Sequence, residues 1–89
     1  MKFPISRFII RDKSMEPVFC SGDSVLTYNW SLYKHGSVIV FKWRGKNLIK
    51  RIDKIVDGKV HVSGDNKKFS TKIEPISFSQ VRGRVFLKY

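Results

Sequence analysis

The stretch "GSVIVFKWRGKNLIKRIDKIVDGKVHVSG", residues 36–64, decides the fold. Its first part, Gly36 to Trp43, is a β-branched and aromatic run between the turn signals His35-Gly36 and Arg44-Gly45. "NLIKRIDKIV", residues 47–56, reads by alternation. Leu48, Lys50 and Ile52 fall on one face, and Ile49, Arg51 and Asp53 on the other. Asp57-Gly58 then leads into "KVHVSG". Asp-Gly between two strand patterns signals a type I′ hairpin, because both central residues of that turn need positive φ.

The same period of two extends in both directions. "RFIIR" (7–11) is a short buried-strand candidate, "SVLTYNW" (24–30) leaves the Gly22-Asp23 turn, and "VRGRVFLKY" (81–89) closes the chain. Gly64-Asp65-Asn66 is a further turn signal, and no window carries a helical apolar stripe. These patterns predict one all-β domain over residues 1–89, a small antiparallel barrel or sandwich of about six short strands.

Composition agrees with one folded domain: 89 residues, 42% of them hydrophobic and 13% aromatic. With 18 Lys+Arg against 7 Asp+Glu, the formal charge is +11. That excess points to nucleic acid, an anionic membrane surface or an acidic partner, without choosing among them. Cys20 stands alone, so no intrachain disulfide can form, and a reducing compartment such as the cytoplasm fits best. No apolar run is long enough to span a bilayer. "MKFPISRFII" has an arginine where a secretory signal needs an unbroken apolar region. The expectation is a cytoplasmic chain able to associate with a membrane surface.

Lys50 is the awkward residue in the alternation. It shares a face with Leu48 and Ile52, and if that face is the core, its ammonium is drawn out of water. Desolvation disfavours the charged form and lowers a lysine pKa. A neutral amine beside a hydroxyl is a general base. The competing reading is an exposed edge, with Lys50 reaching out to water along its own apolar stem. Spacing alone leaves both open.

"SMEP", Ser14 to Pro17, adds a second reading to the first. It precedes Gly22-Asp23 and the apolar "SVL", and is followed in order by "GSVIVFK", by "LIKRI" (Leu48 to Ile52), by "GDNKKFS" (Gly64 to Ser70) and by "GRV" (Gly83 to Val85). This ordered set resembles the serine–lysine peptidases of the type I signal peptidase family, with the LexA-type self-cleaving repressors as more distant relatives. The resemblance covers residues 14 to 85 and is that of a compact member without the large inserted domain.

The resemblance implies a mechanism. Ser14 would attack the scissile carbonyl, and Lys50 would take its proton and pass it to the leaving amine. Ser70 would hydrogen-bond the Lys50 amine and aim it. Arg51 and Asp65 would form the ion pair that holds their two boxes together. Met15 would help keep the lysine dry, and the Ser14 backbone N–H would donate to the oxyanion. The chain departs from the family at Asp12, where a small hydroxyl or glycine is usual. An ionised carboxylate cannot donate to an oxyanion. Past Ser70 it also departs, with Lys72 before Glu74 where an acidic residue usually comes first.

Other constellations carry less. Cys20 with His35 or His61 has no local support as a thiol–imidazole pair, and a small core thiol is the simpler reading. The same residues match no zinc spacing, so no metal and no cofactor are expected. Trp30, Tyr33, Phe41 and Trp43 among basic residues resemble the stacking platforms of single-strand binders, but also fall where strands need core side chains. "GDNKK" lacks the Gly-Lys-Ser/Thr end of a phosphate loop.

Two functions therefore stand. The first is a Ser14–Lys50 endopeptidase that removes a leader or signal-like peptide from a precursor protein, cutting after small side chains. The second is a non-catalytic basic β-barrel that binds nucleic acid or an anionic surface. With no DNA-binding domain and no linker ahead of Ser14, self-cleavage is not expected.

Overall fold

The computed structural model describes residues 4–11, 13–29, 33–68 and 72–89. Seven strands form one antiparallel sheet. They are β1 (Ile5–Ile9), β2 (Ser24–Tyr28), β3 (Val38–Trp43), β4 (Lys46–Val56), β5 (Lys59–Ser63), β6 (Ile76–Ser77) and β7 (Val81–Lys88). Their order across the sheet is β1-β2-β7-β3-β4-β5-β6. The all-β reading holds, and among the described residues the one helical element is a single 3₁₀ turn at Phe78–Gln80. The strand beyond the six expected is β6, two residues that extend the β5 edge.

The hairpins form where the turn chemistry dictates. Asp57 and Gly58 have φ of 51° and 74°, and Arg44 and Gly45 have 48° and 78°. Positive φ at both central positions gives a turn whose twist matches the flanking strands. Arg44 is an unusual occupant, since a side chain in this region is crowded against its own backbone.

β3 is central, and its "VIVF" run is buried on both faces, as an uninterrupted apolar run requires. Val38 and Val40 join Ile10, Met15, Phe19, Val25 and Ile49 in one cluster. Ile39 and Phe41 point the other way, to Ile52, Val60, Val62 and Ile76. Each such side chain, once fully buried, contributes roughly 1.5–3 kcal/mol. The aromatic residues follow this division. Phe41 is core, while Tyr33 and Trp43 are half-buried against the second cluster. Trp30 lies outside the described residues.

A β-bulge between Ile52 and Lys54 shifts the β4–β5 register. Such a shift reverses which side chains face the core. Ile55 thus returns to the cluster of Ile52, while Val56 is exposed.

Candidate active site

Ser14 sits in a compact loop between β1 and β2. The loop is closed at its neck, where the Ile10 N–H donates to the Asp23 carbonyl at 2.8 Å and the Gly22 N–H donates to the Ile10 carbonyl at 2.7 Å. Its interior is held by Phe19 N–H to the Met15 carbonyl (2.9 Å) and by Cys20 N–H to Asp23 Oδ2 (2.8 Å). Met15 is fully buried and anchors the loop in the first cluster, which fixes Ser14 beside it. Ser14 itself is 2% exposed, an unusual burial for a hydroxyl in a turn.

Lys50 lies on β4 directly opposite Ile39 of β3. It is 4% exposed. The solvated-edge reading of Lys50 is therefore set aside, because its neighbours on that face are the second cluster and not water. A lysine ammonium is almost never fully buried unless paired, so the position is costly for the charged form.

The Gly64–Asn66 turn joins the two elements. The Asn66 N–H donates to the Ser14 carbonyl at 2.7 Å, and the Asp65 N–H points at the Met15 sulfur, 3.3 Å away. On its other side the turn grips the residue after Lys50. Arg51 Nε and Nη2 each donate to the Asp65 carboxylate at 2.8 Å, a bidentate pair. Arg51 Nη1 also donates to the Gly36 carbonyl at 2.9 Å. One guanidinium thus ties three segments together. Its hydrogen bonds hold the Asp65 carboxyl below the usual carboxylate range, and Asp65 in turn raises the Arg51 pKa.

A groove that the sequence did not announce opens between the end of β1 and the start of β4. Ile9 and Arg11 form one wall, and Lys46, Asn47 and Leu48 the other, around about 540 Å³. Phe8, Ile10, Val40 and Ile49 line its narrow inner end. One wall continues from β1 into the loop that carries Ser14, and the other lies on β4 two residues before Lys50. Both also offer open strand edges among the described residues. β1 pairs only with β2, and β5 begins its pairing with β4 at Arg51, leaving the outer edge of residues 46–50 uncovered. Half-exposed Ile9 was the available signal, an apolar side chain standing at an edge.

Ser70 and Asp12 lie outside the described residues, so the lysine-aiming hydroxyl and the oxyanion departure have no structural description. Cys20 is half-buried, its thiol directed at the Pro17 carbonyl 3.7 Å away, and makes no approach to either histidine among its hydrogen bonds. No described helix is long and apolar enough to cross a membrane.

Among the described residues, the sheet thus holds a buried serine and a buried lysine on elements stitched together by one turn. The chain matches the model of the family described as Peptidase S24-like over residues 7–86, and it belongs to that family. No curated protein matches it.

Proposed function

We propose that the chain is a serine endopeptidase working through a Ser14–Lys50 dyad on a leader or signal-like segment of a precursor protein. One observation carries this reading. Ser14 and Lys50 are among the few buried polar residues, and the segments that hold them are tied through Gly64–Asn66. A buried amine loses the charged form first, which suits it to accept the Ser14 proton as the hydroxyl attacks. As the tetrahedral intermediate collapses, the protonated lysine gives that proton to the departing amine while the C–N bond breaks and the acyl group stays on Ser14. The Ser14 N–H would donate to the oxyanion, and Ser70 would aim the lysine. Arg51 and Asp65 are positioning residues here, fixing β4 against the turn that carries the Ser14 loop.

The groove supports a substrate bound as an extended strand. A peptide laid between β1 and the open edge of residues 46–50 could add main-chain hydrogen bonds on both sides, the β-augmentation mode. The same mode presents one scissile carbonyl in a fixed register. A precursor in solution and one at an anionic membrane surface would both suit a basic chain.

The test is cleavage of a library of extended peptides, with products identified by mass spectrometry. Wild-type protein should cut after small side chains, while Ser14→Ala and Lys50→Met, both folded, should not. Cleavage that survives in Ser14→Ala would refute the dyad.

A further inference from the structure

A second cavity of about 590 Å³ lies between the β4–β5 hairpin and the chain that follows the Gly64–Asn66 turn. Lys54, His61, Lys67 and Lys72 line it, with Asp53 as the single carboxylate. The bulge after Ile52 creates this arrangement. It brings Lys54 directly opposite His61 across the hairpin. Asp53 offsets part of this charge; its Oδ1 accepts the Ser63 hydroxyl at 2.7 Å, and no ion pair joins it to a lysine among the described residues. Lys54, Lys67 and Lys72 are likewise outside every ion pair formed by the described residues. Val62, Ile73 and Pro75 add an apolar wall beside these charges.

Three lysines against one carboxylate around a cavity raise the local potential, a cost to the free protein that an anionic ligand reduces, even though the Lys67 charge also acts on the Asp65 carboxylate. The chemistry of the donors narrows the ligand. Every cation here is a lysine and none is an arginine, so the site offers mobile point charges and no planar fork for bidentate carboxylate recognition. Separated ammonium groups beside an apolar wall fit a chain of phosphodiesters whose sugars and bases can lie against Val62, Ile73 and Pro75. The +11 formal charge of the whole chain would steer such a polyanion inward.

We infer that the Lys54/His61/Lys67/Lys72 cavity is a binding site for the phosphodiester backbone of single-stranded nucleic acid. The probe is a fluorescein-labelled oligodeoxythymidylate, followed by anisotropy across a chloride titration. Two ammonium groups lost from the site should reduce the salt slope by roughly 1.4, at about 0.7 per phosphate contact for single strands. Lys67→Gln/Lys72→Gln should therefore bind more than about tenfold more weakly at low salt, while Lys67→Arg/Lys72→Arg keeps the wild-type slope. Lys42→Gln/Arg82→Gln removes the same charge from exposed positions outside the cavity and should change the slope by less than half as much. Equal losses in both glutamine variants, or no binding by wild-type protein at low salt, would overturn the site. So would displacement of the oligonucleotide by an acidic peptide or by phosphatidylserine vesicles at lower phosphate or carboxylate concentration than by unlabelled oligonucleotide.

Discussion

The backbone N–H of Asn66 donates to the carbonyl of Ser14 across 2.7 Å. This bond joins the loop that presents the serine to the turn that clasps Arg51, next in sequence to Lys50. Two residues far apart in sequence thereby acquire a fixed frame, and the frame's parts can be tested one at a time.

The Arg51–Asp65 pair should show in acid. The folded-state pKa of Asp65 lies below its unfolded value of about 3.9, so its contribution to stability is present above that value. It is lost as pH falls through the folded pKa. Urea midpoints should therefore fall more steeply between about pH 5 and pH 2 in wild-type protein than in Asp65→Asn. Parallel pH profiles for the two proteins would show that the pair is without consequence. Both side chains are partly exposed, so the difference should also shrink in high salt.

Met15→Ala should be severe. The side chain is fully buried in the first cluster, and its truncation should cost roughly 2–5 kcal/mol. The loss should also loosen the Ser14 loop, since the Met15 sulfur is the contact of the Asp65 N–H. Chemical denaturation gives the first effect, and amide exchange at Asp65 and Asn66 the second. An unchanged denaturation midpoint would contradict the anchoring role.

Gly83→Ala should destabilise through contact rather than through conformation. A Cβ at Gly83 would meet Thr27 Cβ and Oγ1 at 2.8 Å, and Thr27 is fully buried. β2 and β7 must then separate or Thr27 must shift, at a cost of about 1–3 kcal/mol. Thermal unfolding measures it, and wild-type stability in the variant would show that the strands yield freely.

Much of the fold was legible because its signals are local. Alternation and turn residues placed the main strands, and Asp57-Gly58 adopts the positive φ values its turn requires. The alternation put Lys50 on one face with Leu48 and Ile52 but left open whether that face was an exposed edge, and only the packing of the second cluster buries it. The two-residue β6 was illegible because pairing with β5, not its own sequence, makes it a strand. The bulge at Ile52/Lys54 was also hidden, and with it the opposition of Lys54 to His61. The substrate-sized groove depends on two strand edges brought together from distant parts of the chain, which no periodicity reports.

Arg44→Asn should stabilise the protein. Arg44 has φ of 48° in a two-residue hairpin before Gly45, where Asn-Gly is the favoured pair. Asparagine tolerates this region, and a gain of roughly 0.5–1 kcal/mol is expected against the crowding that arginine suffers. Because Arg44 also stacks over Trp43 at 4.6 Å, the Trp43 fluorescence should shift in the same variant. A lower melting temperature would mean that the cation–ring contact outweighs the backbone gain.

The central claim is that Lys50 is a desolvated amine poised as a base, and its titration tests this without a substrate. Selectively labelled lysine, followed by NMR in folded wild-type protein, would report the Lys50 amine directly. Burial of a proton-accepting Lys50 predicts a midpoint well below that of a free lysine. A midpoint near ~10.4 would make Lys50 an ordinary solvated lysine and contradict the dyad.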